Sequence, residues 1–254
     1  MEKLPASNSI IQADPWSSLR KLTPARIGLG NTGGVIPLKD VLALKMAHAH
    51  ARDAVYASLD EKNVLAALRQ FSLPVIHASS CAKNREQYLL DPGLGRKLDQ
   101  QSVVCTDGSI TAGGIVLIVS DGLSATAVNS HAIPVLQTLV PLLKNSGRKI
   151  NSLCMVCEGR VAIGDEIAGW TKADMSVILI GERPGLSAAD SLGVYLTFNP
   201  RPGLTDESRN CISNIHPAGL DYATAAKKIM YLISESFRLG LSGVALKEEQ
   251  NLPG

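Results

Sequence analysis

Apolar residues along the chain change their period near residue 71. Before it, Val41, Leu44, Ala47, Ala51 and Val55 recur every three or four positions within 35–59, the stripe of a long amphipathic helix, and a second helix pattern runs over 61–71. No strand pattern separates the two, so residues 14–71 read as a small helical domain. Residues 1–13 have no apolar periodicity and read as a flexible tail. After Phe71 come short β-branched and apolar runs: PVIHAS (74–79), IVLIVS (115–120), INSLCMVC (150–157), SVILI (176–180) and GVYLTF (193–198). Helix patterns at 125–144, 164–170 and 222–239 lie among them, the last closing on Gly240.

Runs that are apolar throughout, rather than alternating, predict strands buried on both faces. The expectation for residues 72–254 is therefore an α/β domain, a Rossmann-like parallel sheet with helices on both faces. In such a sheet the carboxyl ends of all strands share one edge, where ligands bind. Four loops would then line one rim: Asp121-Gly122-Leu123-Ser124, Glu158-Gly159-Arg160-Val161, Gly181-Glu182-Arg183-Pro184-Gly185 and Asn199-Pro200-Arg201-Pro202-Gly203. Glycines let a backbone approach a ligand and prolines fix loop shape beforehand, which suits a large polar ligand. Charged Gly-Pro loops are equally how strands end on a solvated surface.

Composition narrows the picture. Lys+Arg is 25 against 23 Asp+Glu, a net charge of +2, too balanced for binding nucleic acid or a membrane surface through a bulk field. Charged residues are only 19% and aromatic residues 4%, with 45% apolar, which leaves apolar surface for a partner to cover. No apolar run approaches the ~18 residues of a membrane span, and MEKLPASNSI lacks the order of a secretory signal, so the chain reads as intracellular. Five cysteines do not make a disulfide framework. In CMVC, strand alternation points Cys154 and Cys157 to opposite faces, and without a second such pair they read as buried thiols.

Three motifs invite functional readings and lose them on context. Gly28, Gly30 and Gly33 spell G-x-G-x-x-G with Asp53 about 20 residues on, yet KLTPAR before them is not a strand, so an NAD(P)-dependent oxidoreductase is the weaker alternative. His48 and His50 would point about 200° apart on a helix and cannot share a metal. Asn214-Ile215-His216-Pro217-Ala218-Gly219 approaches D-x-H-x-x-G, the motif by which some cobalamin enzymes place histidine on cobalt, but the acidic partner that fixes the tautomer is Asn here. No catalytic residue and no metal ligand is assigned.

Read together, DPWSSLRKLTPARIGLG (14–30), HAHARDAV (48–55), VSDGLS (119–124), GRVAIGDEIA (159–168), LIGERPGL (179–186), SLGVY (191–195) and RNCISNIHPAGL (209–220) resemble the small subunit of ethanolamine ammonia-lyase. The resemblance runs in order from residue 14 to about 243. It implies an adenosylcobalamin-dependent lyase that converts ethanolamine to acetaldehyde and ammonia in a higher-order hetero-oligomer. In that family the large subunit carries the substrate site and the catalytic side chains, and the cofactor lies between the subunits. The benzimidazole base stays on cobalt, so this chain would supply no cobalt ligand.

The resemblance also carries over three cobalamin contacts: Val161 of GRV, Glu182 of GERPG and Cys211 of CISNIH. Asp121, Gly181 and Arg183 join them from the rim argument, with Gly181 giving close approach to the cofactor and Arg183 orienting Glu182. The expected location is cytoplasmic, with a bacterial microcompartment of the ethanolamine-utilisation type as a further possibility that the family raises. A non-catalytic scaffold of the same fold is the other alternative.

Overall fold

The computed structural model describes residues 10–246. Seven strands form one sheet: β1 (Val75–Ser79), β2 (Val104–Asp107), β3 (Ile115–Ser120), β4 (Ile150–Cys157), β5 (Met175–Gly181), β6 (Leu192–Phe198) and β7 (Asn210–Ile215). Their order is β2-β1-β4-β3-β5-β6-β7. The central four, β1, β4, β3 and β5, run parallel, while β2 is antiparallel to β1, β6 to β5, and β7 to β6.

Strand alternation divides the core into two layers. Leu117, Val119, Leu153, Met155, Val177 and Leu179 face one side, where α4 (Ala125–Asn145), α6 (Tyr222–Leu239) and α2 (Glu61–Arg69) cover them. Val116, Ile118, Cys154, Val156, Ile178 and Ile180 face the other side, covered by α5 (Ile163–Thr171) through Ile163, Ile167 and Ala168. The α/β reading with helices on both faces holds. Cys154 belongs to one layer and Cys157 packs on the other, as alternation required.

The strand after β5 reverses direction, which the sequence pattern did not reveal. GVYLTF, read as another parallel strand, returns antiparallel as β6, because only a loop and no crossover helix separates it from β5. The loop Asn199-Pro200-Arg201-Pro202-Gly203 therefore sits at the opposite sheet edge and leaves the expected rim. In exchange β7, unrecognised in the sequence, brings Asn214 and Ile215 to the rim side, where Leu192 pairs with Ile215.

The described part of the N-terminal segment holds a single 3-10 turn at Ser17–Lys21, then α1 (Leu38–Tyr56), then α2. Of the expected tail, residues 1–9 lie outside the described residues, and Gln12 pairs with Asn31 through two backbone hydrogen bonds. A Cβ on Gly28 would strike the Trp16 carbonyl at 2.8 Å, and one on Gly30 would meet the Gln12 oxygen at 2.3 Å. Those glycines, both at positive φ, thus serve packing of chain on chain rather than a phosphate.

Candidate functional site

Because α4 crosses from β3 to β4 on one face and α5 from β4 to β5 on the other, the chain diverges at β3 and opens a crevice at the strand ends. A cavity of about 430 Å³ lies there, and its lining includes Leu123, Arg160, Val161, Glu182, Arg183 and Tyr195. Three rim loops meet at it. The fourth wall is β6 through half-buried Tyr195, and exposed Cys211 of β7 lies beside it outside the lining.

Of the residues expected from sequence, Val161, Gly181, Glu182 and Arg183 line this cavity. Cys211 does not line it but stands opposite Tyr195 in the pairing of β6 with β7. Burial first, then the neighbouring Cys211 and the Glu182 carboxylate, push the tyrosine hydroxyl above its usual range. Partial burial of its sulfur, although the residue as a whole is exposed, likewise raises the Cys211 thiol, with Tyr195 offsetting part of the shift and the Glu182 carboxylate adding to it. The apolar residues of β6 and β7, Leu192, Val194, Leu196, Ile212 and Ile215, face the other layer, so the shelf these strands present beside the cavity carries Gly193, Tyr195 and Cys211.

Glu182 is fixed differently from the expectation. Its Oε2 accepts a short hydrogen bond from the Ser191 hydroxyl and another from the Asn214 amide at 3.2 Å. Its Oε1 lies over Gly193, where an added Cβ would come within 3.0 Å. Among the described residues Arg183 makes no ion pair with Glu182; Ser191 and β7 do the orienting. Ser191, Gly193 and Tyr195 all belong to SLGVY, a segment noted in the sequence without any role attached to its residues.

Gly181 also works otherwise than expected. The side chain it lacks would strike the Ser124 oxygen at 2.1 Å and the Asp121 oxygen at 2.5 Å, so the missing Cβ makes room for protein and not for ligand. The two loops close on each other through Leu123 N–H donating to the Gly181 oxygen at 2.9 Å.

Asp121 lies behind the cavity wall. It is 5% exposed and accepts from the Gly122 amide at 3.0 Å, while Arg85 approaches to 4.0 Å. Burial, with the Glu158 carboxylate adding to it, pushes Asp121 up to about 7 despite hydrogen bonds and Arg85. Arg85 holds Glu158 at 3.0 Å and the Gly122 carbonyl at 2.7 Å, and it reaches the Val55 carbonyl at the end of α1 at 2.6 Å. Glu158 itself sits at φ 53°, a left-handed conformation that a non-glycine residue keeps only when its surroundings hold it. Arg160 stacks 4.0 Å above the Tyr88 ring. Neither Arg85 nor Tyr88 carried a sequence signal, since KNREQYLL shows no motif.

His216 is not part of the cavity lining. Its Nε2 hydrogen-bonds Asn214 Oδ1 at 2.9 Å, and the turn closes with Gly219 N–H to the His216 oxygen.

A family model described as ethanolamine ammonia-lyase light chain matches residues 13–247. A protein of Azotobacter vinelandii named ethanolamine ammonia-lyase small subunit is 48% identical over 240 residues, covering 93% of this chain and 89% of that one. Proteins of the same name from Ralstonia nicotianae and Xanthomonas campestris pv. campestris are 46% and 44% identical, over 96% and 94% of this chain and 92% and 90% of theirs. The chain belongs to the ethanolamine ammonia-lyase light-chain family, whose members are the small subunits of a lyase.

Proposed function

We propose that this chain holds adenosylcobalamin against the large subunit of an ethanolamine ammonia-lyase, which converts ethanolamine to acetaldehyde and ammonia. The observation that carries the reading is that GRV, GERPG and SLGVY, from separate parts of the chain, line one crevice, while CISNIH braces its carboxylate through the Asn214 backbone N–H on Glu182. The donor set fits the group. A corrin is an apolar disc with an amide-bearing edge, and the crevice offers apolar Val161, Leu123 and Ile180 beside a carboxylate, two tyrosines and two guanidinium groups. The cavity is smaller than cobalamin, so a second protein must cover the remainder.

In this reading Glu182, oriented by Ser191 and Asn214, accepts hydrogen bonds from amide or hydroxyl groups at the cofactor edge. Leaving such a covered carboxylate without donors would cost several kcal/mol. Val161 supplies apolar contact, Tyr195 with Cys211 a polarizable wall, and Arg160 and Arg183 donors for amide carbonyls. When bound, the cofactor supplies homolytic cobalt–carbon chemistry; this chain binds, orients and excludes water, and contributes no cobalt ligand. The hetero-oligomer belongs in the cytoplasm, and co-sedimentation with ethanolamine-utilisation shells tests whether it is packaged in a microcompartment.

The experiment is acetaldehyde formation from ethanolamine and adenosylcobalamin in the dark, with this chain alone, a large subunit alone, and both. Activity confined to the mixture supports the proposal. A mixture that stays inactive, with a large subunit known to work beside another small subunit, favours the scaffold alternative.

A further inference from the structure

On the opposite sheet layer from the cofactor crevice, three side chains from separate elements converge. His77 stands on β1, Cys157 ends β4, and Glu61 opens α2. His77 Nε2 lies 3.2 Å from Glu61 Oε2 and 3.9 Å from Cys157 Sγ. All three ligand atoms fall within 4.8 Å of one another, and among the described residues no other three His, Cys, Asp or Glu side chains converge in this way.

The spacing can be compared with what a metal requires. Zinc bond lengths to sulfur, nitrogen and oxygen put neighbouring ligand atoms of a tetrahedron on the order of 3.3 Å apart for N and O and about 3.6 Å for S and N. The His77–Glu61 and His77–Cys157 distances are close to those edges, and rotamer-scale movement brings the Glu61–Cys157 pair, within 4.8 Å, to the same range. The elements are fixed independently: β1 and β4 are paired in register, with Ser79 opposite Cys157 and His77 opposite Met155, so His77 and Cys157 are diagonal neighbours on one face. α2 is docked on this layer through buried Val64 and Leu68. Glu61 is half-exposed and His77 about one-third exposed, which leaves an entry path and a fourth position for water.

We propose that Glu61, His77 and Cys157 form a divalent metal site of the zinc class, with one thiolate, one imidazole, one carboxylate and a water. Binding exchanges the Cys157 thiol proton for the metal and releases it to the buffer, while neutral His77 coordinates through Nε2. The ion would tie α2 to β1 and β4. Cys157 immediately precedes the Glu158-Gly159-Arg160-Val161 turn, so the clamp would also steady one wall of the crevice. The Cys154-x-x-Cys157 spacing plays no part, because Cys154 lies in the other layer.

The test uses the full chain without cobalamin, titrated with Co2+ as an optical probe and with Zn2+ in competition against a chromophoric chelator. One equivalent should bind, and Co2+ should give a thiolate-to-cobalt charge-transfer band that Cys157→Ser abolishes and Cys105→Ser, at an exposed cysteine, leaves intact. Glu61→Gln alters an exposed side chain and should weaken Zn2+ at least tenfold with the fold unchanged. A missing charge-transfer band, a band that survives Cys157→Ser, or Zn2+ affinity unaffected by Glu61→Gln would each overturn the proposal.

Discussion

Among single residues the crevice turns on how Glu182 is held, and Gly193 is the sharpest probe of it. Gly193→Ala places a methyl 3.0 Å from Glu182 Cγ and Oε1, and the carboxylate must move while β6 keeps its register. Cobalamin affinity of the two-subunit complex should fall about tenfold or more, on the order of 1.4 kcal/mol, with little change in melting temperature; an unaltered affinity would show that the position of Glu182 is irrelevant. Asp121 gives a second residue-scale test. Its folded pKa of about 7 lies above the ~3.9 of an unfolded chain, so the native state binds more protons between them. Its contribution to stability is present in full below about pH 4 and is lost as pH rises through about 7. Asp121→Asn, neutral throughout, should show a flatter decline of melting temperature from about pH 5 to 8 than the wild type, and parallel profiles would contradict that. Val161, Glu182 and Cys211 were expected because each sits in a motif that carries the resemblance; the first two line the cavity and Cys211 does not. Ser191, Asn214 and Tyr195 could not be given roles, since their work depends on strand pairing that sequence does not print.

At the level of elements, the arrangement of β6 and β7 decides whether the crevice has a shelf. Arg209, just before β7, donates to Asp165 in the first turn of α5 at 2.8 and 2.7 Å and to Thr197 on β6 at 2.9 Å. Both charged side chains are 2% exposed. Removing one partner strands a buried charge at a cost of about 3–5 kcal/mol, whereas replacing both with apolar groups of similar volume is often nearly neutral. Denaturant unfolding should therefore find Arg209→Leu strongly destabilised and the Arg209→Leu/Asp165→Leu double variant largely recovered; additive losses would contradict the pairing. The parallel core was legible because β3, β4 and β5 are continuous apolar runs with one clear layer assignment for each position. β7 was not, because NCISNI buries only Ile212 and Ile215 and leaves its other face open. The reversal at β6 was hidden for a related reason: GVYLTF is as apolar as its parallel neighbours, and direction is set by the connection, not by the strand.

For the whole molecule, the uncovered shelf and the exposed apolar side chains have one physical reading. Trp16, Leu22, Leu38, Leu42 and Met46 of the N-terminal segment are each more than half exposed, as low charge and high apolar content foreshadowed. The isolated chain should self-associate, and added large subunit should return it to a defined complex, a change that light scattering follows. Under the proposed reading, cobalamin, larger than the crevice, likewise requires a second wall. The measurement that bears most directly on that claim is cobalamin binding, followed spectroscopically, to the large subunit alone, to its complex with this chain, and to its complex with the Glu182→Ala chain. One cobalamin per pair of subunits, with affinity at least tenfold higher in the wild-type complex than in the other two samples, is the predicted result. Equal affinity in all three would mean that this chain does not hold the cofactor.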